Sequence, residues 1–173
     1  ATKPSQHTTI NDIAVTTNDT FRESGLISFG TIHPDNEDYR DILRNLSKKG
    51  VPGIKLHPVF QRTNIDDPRY LNIISCAFDN DLIVSIHCGI DISFPNCDEA
   101  SVERIANMIK EVPPRKLVLA HMGGWGMYNE VCDKLIGTPG VWLDTAFVLR
   151  NSPDFYFLSK EKFVDMVRTH GTD

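Results

Sequence analysis

The sequence predicts a parallel α/β fold, and three observations carry that expectation. Five short segments are rich in β-formers and nearly continuously apolar: residues 26–33 (core LISFGTI), 53–57 (GIKLH), 82–87 (LIVSIH), 116–121 (LVLAH) and 141–145 (VWLDT). Such runs suit strands covered on both faces, as in a parallel sheet. Stretches of helical period separate them, so strand and helix alternate strictly. No linker, repeat or low-complexity tract marks a second domain, and 173 residues suffice for one sizeable core.

The helices follow from apolar spacing and punctuation. Residues 36–49 place Tyr39, Ile42, Leu43 and Leu46 on one face and end at Lys48, Lys49 and Gly50, cations in the last turn followed by a stop. Asp67-Pro68 opens a helix bearing Leu71, Ile74 and Phe78, with proline in the first turn. Residues 98–112 carry Val102, Ile105, Ala106 and Ile109 before Pro113-Pro114 ends them. Residues 160–169 carry Phe163, Val164 and Val167, with Gly171 beyond. Helices are also expected over 10–22 and within 127–136.

Charge and composition narrow the partners. A net charge of −5 with no run of Lys or Arg argues against nucleic acid and against an anionic membrane. No apolar run reaches the ~20 residues that span a bilayer. The opening Ala-Thr-Lys-Pro-Ser lacks the apolar core of a signal peptide, and the missing initiator Met suggests a processed chain or a piece of a longer one. Cys76, Cys88, Cys97 and Cys132 form no C-x-x-C pair and read as free thiols of a cytoplasmic protein.

The strands end in ionisable groups: His33, then Lys55 and His57, then His87, then His121, with Asp144 near the end of the fifth. In a parallel sheet these ends share one edge, where such folds bind ligands. Lys55 and His57 are two apart and so face the same way. Imidazoles with a carboxylate and a lysine suit a divalent metal, Zn²⁺ or a similar ion, which activates a bound water or polarises a substrate oxygen. Lys55, costly to bury unpaired, would hold an anionic substrate or be carboxylated to bridge two metals. A lone strand-end histidine is more often a satisfied structural residue; four at corresponding ends point to a site. His33, before Pro34, and Asp144, which could merely cap a loop, are its weakest members. Gly123-Gly124 is a turn or a point of close backbone approach. His7 and His170, outside the strands, read as solvated, and Cys88 as a small core hydrophobe.

The motifs G-I-K-L-H-P (53–58), I-H-C-G (86–89), A-H-M-G-G (120–124) and L-D-T-A (143–146) together resemble the amidohydrolase superfamily. The similarity is to its amidohydrolase-related TIM-barrel hydrolases, a branch that also holds decarboxylases of the aminocarboxymuconate-semialdehyde type. The stretches A-T-K-P-S-Q-H (1–7) and G-L-I-S-F-G-T-I-H-P (25–34) also look like this branch. The resemblance implies a (β/α)₈ TIM barrel, here incomplete: strands three to seven are present, and the first, second and eighth are missing. The H-x-H pair of strand one and the aspartate of strand eight are missing with them, and a full barrel takes ~250 residues.

Carried over by position, the resemblance implies metal ligation by His87 and His121. In other members His121 would be catalytic, polarising the substrate, and Lys55 falls where binuclear members carry a carboxylated lysine. The implied activity is a metal-dependent hydrolase of a small-molecule substrate, with metal-activated water attacking an amide, ester or lactone bond. The alternative is a non-oxidative decarboxylase in which Lys55 and His57 hold the substrate carboxylate. A third expectation, of another class, is a catalytically incomplete barrel fragment with a structural role. A doubly wound domain binding a phosphate ligand is disfavoured, since no G-x-G-x-x-G or P-loop follows any strand. Bare edges of an incomplete sheet imply self-association into a homo-oligomer. The aromatic loop 154–158 (DFYFL) would line the pocket or meet another subunit.

Overall fold

The structure, a computed structural model, describes residues 1–149 and 157–171. Four parallel strands form one sheet: β1 (Gly53–Leu56), β2 (Ile83–Ile86), β3 (Leu117–Leu119) and β4 (Val141–Leu143). Their spatial order is β1-β2-β3-β4, the order of the chain. A doubly wound sheet reverses its strand order at a switch point, whereas a barrel adds each strand beside the last. The described strands therefore belong to a singly wound, barrel-like arc.

The helices are α1 (His7–Phe21), α2 (Tyr39–Lys48), α3 (Pro58–Gln61), α4 (Pro68–Asp79), α5 (Val102–Glu111), α6 (Tyr128–Lys134) and α7 (Lys160–His170). Asp67 caps α4 by accepting from the Arg69 N–H at 2.9 Å. Ser101 caps α5 by accepting from the Arg104 N–H, so that helix starts later than the expected residue 98. The single-turn α3 was not expected. Its proline at the first position suits a helix start, and it begins directly after His57.

The core lies between the helices and one face of the sheet. Ile54, Leu56, Val84, Ile86, Leu117 and Leu119 are fully buried there with Tyr70, Ile74 and Ile105. The opposite face, which carries Lys55, Ile83, Ser85, Val118 and Trp142, is only half covered, and Trp142 is 44% exposed. Burial on both faces, expected from the apolar runs, thus holds for one face among the described residues. In a closed barrel the second face is the interior.

The first expected strand, 26–33, does not form a ladder. It touches the sheet at one parallel bridge, where the Gly30 N–H donates to Gly53 O and the Lys55 N–H to Gly30 O, each at 2.9 Å. The reason lies in α1. Asn18 accepts from the Ser28 N–H and donates to Ser28 O, and Asn11 accepts from the Thr31 N–H at 2.7 Å. Side-chain amides thus take the backbone groups that a strand would have offered to a ladder. Leu26 and Ile27 are left more than half exposed.

Two histidines expected to be solvated are engaged. His170 bridges two backbone groups: Nδ1 accepts from the Gly137 N–H at 3.1 Å and Nε2 donates to Val141 O at 2.9 Å, which docks α7 on β4. The His7 ring bonds Pro4 O and the Asn36 side chain. Cys88 is buried as expected, and burial pushes its thiol up to about 12. In the loop 154–158, residues 154–156 lie outside the described residues, Phe157 is exposed and Leu158 is buried. No helix among the described residues is long and apolar enough to cross a membrane.

Gly89, at φ +85°, makes a bridge with Trp125, and a Cβ there would overlap the Trp125 backbone. Gly89→Ala should lower unfolding stability by about 3 kcal/mol or more. Gly137, at φ +77° with open space around it, should lose only about 1 kcal/mol on the same change. Urea denaturation of the two variants checks the contrast.

Candidate metal centre

The strand ends open into a cavity of about 640 Å³ walled by Lys55, His57, His87, Asp91, His121 and Asp144, with Ile92, Trp125 and Phe147 as apolar surfaces. His57 follows β1 and starts α3; its ring is sandwiched between Phe60 and His87 at centroid distances of 4.1 Å. His87 follows β2 directly. His121 follows β3 and Ala120 and enters a turn in which His121 and Met122 both have positive φ, +58° and +54°. Asp144 follows β4. The expectation that Lys55, His57, His87, His121 and Asp144 converge is met. His33 stays outside this cavity, buried against Asn36 and Asp35.

Asp91 was not foreseen. It lies four residues past His87, beyond Gly89, in a loop where its Oδ1 accepts from the Ser93 N–H at 2.8 Å. That turn aims Oδ2 at His57 Nε2 (3.6 Å) and His87 Nε2 (3.8 Å). The only signal in the sequence was an Asp-x-Ser turn shortly after a strand-end histidine.

His57, His87 and Asp91 could together hold a metal, one donor atom from each lying within 4.8 Å of the others. His87 Nε2 is buried and has no hydrogen-bond partner among the described residues. Two ligand atoms about 2.1 Å from one ion at a tetrahedral angle stand roughly 3.4 Å apart, close to the observed separations. Two imidazoles and a carboxylate also form a donor set that suits zinc and similar divalent ions. The residues present therefore fit a divalent cation.

The electrostatics agree. Burial drives His87 down to about 2 and His57 down to about 4, and it lowers His121 too, so these rings are neutral near pH 7 and can act as ligands. His87 Nδ1 stands 3.1 Å from His121 Nε2, and His121 Nδ1 stands 2.8 Å from Ala146 O. His121 was expected to be a ligand; here its Nε2 is engaged with His87. Lys55 reaches Ser85 Oγ at 3.3 Å, and burial lowers its pKa.

A singly wound parallel arc gathers histidines and an aspartate at its strand ends, around a gap that could hold a divalent metal. The sequence profile of the amidohydrolase family matches residues 2–168, and the chain belongs to that family. Among solved structures it is similar to the crystal structure of the 5-carboxyvanillate decarboxylase LigW from Sphingomonas paucimobilis, with a TM-score of 0.60 and 14% identity. The match covers 97% of this chain and 59% of the decarboxylase, so the chain spans little more than half of that protein's length. No curated protein matches the chain.

The depressed histidines fix the acid behaviour of the metal-free protein. Unfolded, each imidazole binds its proton near pH 6.5; folded, His57 does so only near 4 and His87 lower still. Below pH 6.5 the unfolded state binds more protons, so stability falls as pH falls, by up to about 1.4 kcal/mol per pH unit for each such group. Urea midpoints at pH 7.5, 6 and 4.5 should decrease in that order, and His57→Phe should flatten the slope.

Proposed function

We propose that the protein is a metal-dependent decarboxylase of an aromatic or unsaturated carboxylic acid. The observation that carries this reading is Lys55. A half-buried ammonium faces a cavity with an aromatic wall of Trp125 and Phe147. The two carboxylates of that cavity are already committed, Asp91 towards the histidines and Asp144 to backbone N–H groups. A cation that makes no ion-pair contact with a carboxylate among the described residues, beside flat apolar surfaces, suits an anionic, planar substrate. The structural neighbour is a 5-carboxyvanillate decarboxylase, which supports the same class.

In this reading Lys55 pairs with the substrate carboxylate, and Trp125 and Phe147 hold the ring or double bond edgewise or by offset stacking. The apolar wall strips water from the carboxylate, which favours the uncharged CO₂ that leaves. Breaking the C–C bond leaves its electron pair on the carbon, where the π-system spreads it until a proton makes the new C–H bond. A divalent cation held by His57, His87 and Asp91 would supply Lewis-acid polarisation of a substrate oxygen or of water. His121 bonds His87 and borders the same space.

Hydrolysis of an amide, ester or lactone is the second reading. It is favoured by the His–His–Asp cluster itself, since activation of water asks no more of this site than those ligands. A panel of hydroxybenzoates, unsaturated diacids, esters and lactones separates the two readings. With the Zn²⁺-loaded protein, carboxylates should release CO₂, and Lys55→Met should raise KM and lower kcat/KM by about 100-fold or more through lost binding of the substrate carboxylate. Ester or lactone turnover with proton release and no CO₂ would transfer the assignment to hydrolysis. His87→Ala should abolish stoichiometric Zn²⁺ binding in either case.

A further inference from the structure

Asp144 has no place in the chemistry above, yet it sits where two pieces of the site meet. Its Oδ1 accepts from the His121 N–H at 2.9 Å and from the Ala146 N–H at 3.0 Å. Its main-chain oxygen accepts from the Met122 N–H at 2.8 Å, and its own N–H donates to Leu119 O at 3.1 Å. One residue thus holds both left-handed members of the His121–Met122 turn and fixes the segment that presents Ala146 O. Left-handed backbone at residues with side chains costs about 1–3 kcal/mol each and persists only where the surroundings impose it.

Ala146 O is an acceptor only, so the His121 nitrogen 2.8 Å away, Nδ1, carries the proton. A neutral imidazole has one N–H, which leaves His121 Nε2 as an acceptor. The nitrogen facing it at 3.1 Å, His87 Nδ1, must then be the donor. His87 Nε2 is left with a bare lone pair, aimed into the gap shared with His57 and Asp91 and buried without a partner among the described residues. The direction of the chain is set at its far end, by the carbonyl that the Asp144 carboxylate holds in place.

We infer that Asp144 is a positioning residue that fixes the tautomers of His121 and His87, so that His87 Nε2 faces the metal gap as a lone pair. The inference rests on the reading of His87 as a ligand only for its effect on affinity; the tautomers stand on the hydrogen bonds alone. The role needs an acceptor oxygen at Asp144 and not a negative charge. A direct ligand or a general base would need the charge.

The test uses the 173-residue chain with two variants, Asp144→Asn and Asp144→Ala, and two readouts. Long-range ¹H–¹⁵N spectra of the metal-free protein report which ring nitrogens of His87 and His121 carry protons, and calorimetry reports Zn²⁺ affinity. Expected are Nδ1–H tautomers for both rings in the parent chain and in Asp144→Asn, with Zn²⁺ affinity in that variant within about threefold of the parent. Asp144→Ala should mix the tautomers and weaken Zn²⁺ by about 10- to 100-fold, the usual effect of losing a group that orients a ligand. Should Asp144→Asn lose as much affinity as Asp144→Ala, the charge matters and the positioning role is overturned. It is overturned equally by any other tautomer in the parent chain, which needs no variant to fold. A parent chain with the expected tautomers that takes up no Zn²⁺ would sink the metal reading and leave the positioning role standing.

Discussion

Dehydration of three imidazoles at the ends of parallel strands is the constraint on which the rest of this site depends. His57, His87 and His121 lie in a row against each other and against Phe60 and Trp125, with His87 and His121 buried and His57 half-buried. Dry surroundings make the imidazolium form costly, and each ring keeps a lone pair that in water would be shared with protons. The order of the sheet makes such crowding possible: β1, β2 and β3 are immediate neighbours, so consecutive strand ends deliver their rings into one volume. Burial of Ile54, Leu56, Val84, Ile86, Leu117 and Leu119 on the helical side fixes those ends and leaves the polar residues to the other face.

Charge is distributed sparingly within this dry volume. Among the described residues, Asp91 supplies the carboxylate oxygen aimed at the His57 and His87 rings, and Lys55 the ammonium that walls the cavity. Two opposite charges 4 Å apart are worth about 4 kcal/mol at the effective dielectric of a protein site, against about 1 kcal/mol in water. A carboxylate entering beside Lys55 would gain that difference, and a neutral ligand would not. On the proposed reading, the aromatic surfaces would then choose among anions by shape.

Much of this was legible in the sequence. Four strands could be read because apolar runs of strand length ended in a histidine or an aspartate at corresponding places. The segment 26–33 misled, because LISFGTI has a strand's composition while the partners that take its backbone groups, Asn11 and Asn18, lie in the preceding helix. The convergence of Lys55, His57, His87 and His121 followed from their position at strand ends. Asp91 escaped because a loop turn aims it, and loop geometry leaves little trace in composition. His170 escaped for a related reason: its two backbone partners are about thirty residues away along the chain, and only the docked position of α7 brings them within reach.

The asparagines of α1 have a consequence for how the sheet ends. A row of open backbone groups beside β1 would be a template for any passing strand. Here carboxamides imitate a neighbouring chain at Ser28 and Thr31, and the next segment makes its backbone bridge to the sheet at Gly30, where a Cβ would press into Asn11 and Leu46. The helix therefore works as a selvedge, finishing the woven edge with side chains. Because those side chains sit seven residues apart, two turns of one helix face, the rotational setting of α1 and the closure of that border are a single variable.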